Sequence, residues 1–210
     1  MPRARKAGSG TSAKSASTPA SGDPKARLID AALDLAATKG WRTTGMGEIA
    51  RAANVPLGEA YAIFPTRMAV IAGFGRRVNE AVLASAPDDG SAREKLFELI
   101  MRRFDALKPH RAALKSILRD SVGDPAALCG LPRFLNAMAW TLEAAGISAA
   151  GWRGPGRVLA LSGAYGAAFR VFLGDDSDDL AKTMAELDKR LKSGIFSGDA
   201  ASDADTASAN

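Results

Sequence analysis

The chain has one cysteine, Cys129, and one histidine, His110, among 210 residues. A single thiol excludes an intramolecular disulfide, and one Cys with one His cannot supply the clustered ligands of a structural zinc site. Neither stands in a recognisable catalytic context, so Cys129 reads as a small apolar filler and His110 as a residue at a helix start. Gly154-Pro155-Gly156 follows no strand and reads as a turn, not a phosphate loop. The acidic run Asp175-Asp176-Ser177-Asp178-Asp179 lacks the Gly and distal Glu of a calcium loop. With no convergent acid, base or nucleophile in view, we expect no catalytic residue, no metal and no cofactor, hence no enzyme. No apolar run approaches the roughly 18 residues of a membrane span. Residues 1–22 lack the continuous apolar core of a secretory signal, which makes the cytoplasm the expected location. Alternating strand patterns are missing as well, so the fold class expected is all-α.

What is present is a hydrophobic content of 47% and a net charge of +5, enough apolar material for a proper core and a sign compatible with phosphate. Arg3, Arg5, Lys6 and Lys14 stand against Asp23 at the start, and Asp199, Asp203 and Asp205 stand near the end, so the two ends offset each other. Residues 24–85 carry eight Lys/Arg against five acids. That excess permits contact with duplex DNA without requiring it. Four segments follow: a basic, Ser- and Ala-rich disordered arm over 1–23, a first helical domain over 24–85, a larger one over 86–196, and a polar disordered tail over 197–210.

Asp23-Pro24 is a strong helix start, and Leu28, Ala31, Ala32 and Leu35 recur at helical spacing until Gly40 and Trp41 end a helix over 24–39. Thr43 and Thr44 offer the next cap, ahead of Met46, Ile49, Ala50 and Ala53. Asn54 suits a left-handed turn, Val55 plugs it, and Pro65 stops a short third helix near Phe64. Thr66 caps a long helix with Val70, Ile71, Phe74, Val78 and Val82 that ends near Ser85. Further helices are expected around Leu96 to Phe104, around Leu114 to Leu118, from Asp124-Pro125 through Trp140 with an interruption at Pro132, over 157–173, and over 178–192. Two short helices joined by a four-residue turn have the geometry of a groove-reading helix-turn-helix.

Ile49-Ala50, Val55, Gly58, Tyr61, Phe64, Thr66 and Arg67 fall where the TetR family of transcriptional regulators has its run Ile-Ala, then Val-Ser-Lys-Gly-Thr-Leu-Tyr-x-His-Phe-x-(Ser/Thr)-Lys. Residues 25–77 resemble the N-terminal domain of that family. The resemblance implies an all-α, TetR-like protein: a three-helix DNA-binding head on a larger helical ligand and dimerisation domain. It also implies contact with double-stranded DNA through Thr44, Leu57, Gly58, Glu59, Tyr61 and Arg67. Leu57, Glu59 and Ile63 depart from the family's Lys, Thr and His. The first loses a cation and the second sets a carboxylate toward phosphates, although Glu accepts a hydrogen bond from cytosine in the major groove.

At the other end Asp175, Ser177, Asp179, Thr183, Leu187, Asp188 and Arg190 resemble the C-terminal signature of the coenzyme Q biosynthesis accessory proteins, which share the architecture and bind lipid. Caps and surface ion pairs explain the same residues equally well. Ser162, Gly163, Gly166 and Ala167 form a small-residue face suited to close helix approach and a homodimer seam. Met101, Phe104, Phe134, Met138, Trp140 and Phe169 are candidates to line a cavity for an apolar small-molecule or lipid effector. The leading expectation is a ligand-responsive regulator binding a palindromic operator as a homodimer. The alternative is a lipid-binding accessory protein of ubiquinone biosynthesis with a degenerate helix-turn-helix.

Overall fold

The computed structural model describes residues 22–84, 86–122, 130–192 and 196. Residues 1–21 of the expected arm and the whole expected tail, together with Asp124-Pro125 and Cys129, lie outside the described residues. Asp23 accepts a hydrogen bond from Lys25 N at 3.1 Å and Pro24 occupies the first turn of α1, Pro24–Thr38. Besides Leu28, Ala31, Ala32 and Ala36, this helix buries Ile29 and Leu33. The stripe is wider than one face because α1 packs on α6 as well as on α2 and α4. Gly40 has φ +97°, a left-handed cap that turns the buried Trp41 back into the core.

α2, Met46–Ala52, is capped by Gly45 and not by a threonine side chain. Thr43 Oγ1 donates to Lys39 O and Gly40 O, and Thr44 Oγ1 donates to Gly40 O at 2.8 Å. Both hydroxyls thus satisfy orphan carbonyls at the end of α1 instead of orphan amides at the start of α2. Asn54 takes the left-handed conformation at φ +51°, Val55 is buried, and α3 runs Leu57–Ile63. Phe64 is extended before Pro65. Thr66 Oγ1 then accepts from Ala69 N, and α4 follows over Arg67–Ala84.

α5, Ala92–Leu107, opens on a reciprocal cap in which Ser91 Oγ accepts from Glu94 N and the Glu94 carboxylate accepts from Ser91 N. A tight 3-10 turn, Lys108–His110, leads into α6, Arg111–Ser121. α7 is Leu131–Ala144, α8 is Gly154–Gly174 and α9 is Ala181–Leu191. Pro132 sits in the first turn of α7, where its missing N–H costs nothing, and the stretch from Asp124 expected to precede it lies outside the described residues. Gly154-Pro155-Gly156 is the first turn of α8, not a separate turn: a Cβ at Gly154 would stand 1.9 Å from the Ala149 carbonyl oxygen, so the entry to α8 needs glycine.

One core runs from head to body, from Leu28 and Ile49 through Phe104 to Leu187. The head is bolted to the body by Trp41 N donating to Ser116 Oγ at 3.0 Å and Arg42 N donating to Asp120 Oδ2 at 2.8 Å. His110 meets the Phe74 ring edge-on at 5.1 Å. In the body, Phe104 stacks on Tyr165 at 5.3 Å and on Phe172 at 5.1 Å. Of the six residues expected to line an effector cavity, Phe104 and Met138 are fully buried, and Met101, Phe134 and Phe169 are half-buried beside them. Trp140 is 58% exposed. It lies two positions from Met138, nearly the opposite side of the same helix, and so leaves the cluster.

Candidate nucleic-acid interface

α3 is anchored by one buried residue, Ala60. Around it Leu57 is 61% exposed and Tyr61 is 69% exposed, and Gly58, Glu59 and Ala62 also face outward. The turn through Asn54 and Val55 sets α3 against α2 and α1. Its far end is fixed by Phe64, whose ring fills a niche over Gly73: a Cβ there would come within 2.7 Å of the ring. Beside α3 lies an apolar hollow of about 430 Å³, lined by Met46, Leu57, Gly58, Tyr61, Phe64 and Pro65.

Of the residues expected to touch DNA, Leu57, Gly58, Glu59 and Tyr61 share this outward face. Thr44 does not join it. It is 1% exposed with its hydroxyl directed into the end of α1, so its side chain is part of the scaffold. Arg67 is likewise turned inward. Its Nη1 donates to Trp41 O at 2.7 Å and Thr44 O at 2.8 Å, and its guanidinium lies 5.2 Å from the Trp41 ring centroid. The side chain clamps the loop between α1 and α2 onto the start of α4.

No residue of α3 is basic, and Glu59 adds a negative charge. Besides Lys39, which pairs with Glu48, and Arg76 on α4, the head exposes the cations Arg42 and Arg51, on the loop after α1 and on α2. Neither stood out in the sequence, although Arg51 falls off the buried face that Ile49, Ala50 and Ala53 define. The hollow was equally hidden, because it is made by residues of α2, α3 and the Phe64-Pro65 corner together.

The C-terminal motif has partners of its own. Asp175 is buried; it accepts from Ser177 N and Oγ through one oxygen and from Thr183 N and Oγ1, at 2.9 and 2.8 Å, through the other. Burial pushes its carboxyl up, but these donors from Ser177 and Thr183 outweigh it and hold the group far below the usual carboxylate range. The carboxylate therefore ties the end of α8 to the first turn of α9. Asp179 Oδ1 and Ser177 Oγ both accept from Ala181 N, Asp188 pairs with Arg93 at 2.5 Å and Lys192 at 2.8 Å, and Arg190 pairs with Glu186 at 2.7 Å. Every polar member of the motif is thus used in joining α9 to the body or in ordering it internally.

With this geometry in place, residues 28–72 match the family model described as bacterial regulatory proteins, tetR family. No curated protein matches the chain's sequence. Among solved structures, a TetR transcriptional regulator from Nitrosomonas europaea superposes with a TM-score of 0.68 at 22% identity, covering 81% of this chain and 96% of that one. A TetR transcriptional regulator from a Rhodococcus species gives 0.59 at 18% identity over 81% and 96%. Another TetR-family structure from Rhodococcus gives 0.56 at 14% identity over 81% and 100%. The chain therefore has the all-α TetR fold, with the family's helix-turn-helix domain over residues 28–72.

Proposed function

We propose that the protein is a DNA-binding transcriptional regulator that grips duplex DNA as a homodimer and changes its grip when an effector enters the body. The observation that carries this reading is the exposed outward face of α3, presented by a head whose sequence matches the model of bacterial regulatory proteins of the tetR family. A helix so held enters the major groove of B-DNA, and two copies related by a two-fold axis read half-sites one helical turn apart. Tyr61 extends its hydroxyl toward a phosphate, while Leu57 is suited to a thymine methyl and Glu59 to the amino group of cytosine. Arg42 and Arg51 supply the flanking charge. Thr44 and Arg67 hold the loop behind the helix. The cytoplasm is the compartment this work requires, and none of the described helices is long and apolar enough to cross a membrane.

Recovery of genomic fragments by the purified protein at physiological salt, followed by titration at several salt concentrations, tests the reading. We expect a specific, two-fold symmetric sequence and an affinity that falls steeply with salt. Tyr61→Ala weakens all sequences alike, whereas Glu59→Ala alters preference at one base pair by about 1–3 kcal/mol. Recovery of no specific fragment, with affinity insensitive to salt, overturns it.

One observation favours a second reading, a lipid-binding accessory protein with a degenerate helix-turn-helix. The face of α3 is apolar and acidic where a phosphate-seeking surface is basic, and the hollow beside it is apolar. Native mass spectrometry separates the two: a retained isoprenoid or phospholipid on a protein that recovers no DNA supports the second.

A further inference from the structure

Arg103, on α5, is 6% exposed in the middle of the body. Its Nη1 donates to Asn79 Oδ1 of α4 at 2.5 Å, and its Nη2 reaches Thr141 Oγ1 of α7 at only 3.5 Å. Its Nε is buried with no partner. The guanidinium lies 5.9 Å from the centroid of the Tyr165 ring. Among the described residues no carboxylate stands within ion-pairing reach of it, so a full positive charge sits inside the protein with neutral neighbours. Buried charges in folded proteins are paired, because desolvation is otherwise uncompensated. Burial pushes Arg103 below its usual value and the Tyr165 hydroxyl up to about 12, which marks the surroundings as poorly solvated.

The same place is aromatic. Tyr165 stacks on Phe104 at 5.3 Å and Phe169 at 5.7 Å and meets Phe134 at 5.6 Å. Phe134, Phe169 and Met101 are only half-buried, so apolar surface continues outward from the cation. A guanidinium with spare N–H donors at the edge of an apolar, aromatic surface has the chemistry of a carboxylate-headed ligand: the head takes the charge-assisted bonds, and the apolar body lies along the rings.

We propose that Arg103 is the anion-recognising residue of an effector site in the body and that the ligand is an apolar monocarboxylate, either an acyl chain or an aromatic acid. One guanidinium set among neutral groups matches a single negative charge. A diphosphate or other polyanion would leave charge unmatched in a poorly solvated place. The assignment rests on the regulator reading, since an effector is what such a site serves.

The test is calorimetric titration of the full-length chain with dodecanoate and with 4-phenylbutanoate, each beside its uncharged methyl ester. We expect at least one acid to bind about tenfold or more tightly than its ester. Arg103→Met brings acid and ester to equal affinity, and Arg103→Lys restores part of the preference. Thermal melting checks that the variants fold. If Arg103→Met does not fold, the acid-to-ester ratio of the unmodified protein decides the matter by itself. Equal binding of acid and ester, or binding of neither acid, overturns the proposal. Fragment recovery from the same preparation keeps the two readings apart. Specific DNA without acid selectivity sinks the site and leaves the regulator standing, and acid selectivity without DNA does the reverse.

Discussion

Asp175 shows what a single side chain does when all its lone pairs are used. Four donors from Ser177 and Thr183 converge on two oxygens in a buried site. An amide in its place offers one acceptor oxygen and turns an N–H₂ toward donors, so Asp175→Asn loses one side of the cap and sets like groups together. We expect a loss of about 2–3 kcal/mol, read as a lower midpoint in urea unfolding. The pH dependence has a definite sign. The folded carboxyl ionises far below the unfolded one, whose ordinary value is 3.8, so the unfolded chain binds more protons between the two. The contribution is whole above that ordinary value and shrinks as the solution is acidified below it. Asp175→Asn flattens the acid limb of the stability curve, and an unchanged limb contradicts the assignment. The motif was visible in the sequence, but whether its acids faced a ligand or a helix end was not. That difference lies in where α8 stops, and local spacing does not contain it. Thr44 and Arg67 show the same limit: residue type suggested phosphate, and spacing did not show that the Thr44 hydroxyl meets the Gly40 carbonyl or that Arg67 holds the Trp41 and Thr44 carbonyls.

Among the elements, α3 is short, with one buried residue, and holds its angle through its neighbours. Phe64 at its end rests on Gly73 of α4 with no room for a methyl group. Gly73→Ala favours α4 by propensity but drives a Cβ into the aromatic ring, whose displacement outweighs the gain. We expect a net loss of about 1–3 kcal/mol and, through the tilt of α3, weaker DNA binding with effector binding by the body unchanged. Gel shift and calorimetry on the same variant check this, and equal loss in both assays counts against a local effect. Helix periodicity, caps and turn residues made most elements legible: Asp23-Pro24, Gly40, Asn54 and Pro65 punctuate the head where the structure does. The misplaced starts of α2 and α8 have a common cause. Thr, Pro and Gly each suit both the end of one segment and the first turn of the next, and only tertiary contacts choose between them.

At the scale of the molecule, α7 and α8 leave apolar groups in solvent: Trp140 at 58% on α7, and on α8 Leu159 at 62%, followed at helical spacing by the exposed Gly163 with half-buried Ser162, Gly166 and Ala167. Large side chains beside a small-residue face let two helices approach closely with an aromatic anchor, the composition of an interface core. The sequence showed the small face but placed Trp140 in the interior, because an aromatic at helical spacing looks the same on either side until the neighbouring helices are placed. If this surface is the two-fold seam, each substitution in it acts twice, once from each subunit. Trp140→Glu with Leu159→Glu then removes about 2 kcal/mol per aromatic anchor and buries like charges together, weakening self-association by about a thousandfold. Sedimentation equilibrium should show monomer at concentrations where the unmodified chain is dimeric. The same variant should lose operator binding steeply while keeping its helical circular dichroism, because a single head has only one half-site's affinity and loses the effective concentration that tethering supplies. A variant that remains dimeric places the seam elsewhere. A monomeric variant with undiminished operator affinity would mean that one α3 suffices, and the two-headed mechanism would fall while the DNA-reading face survived.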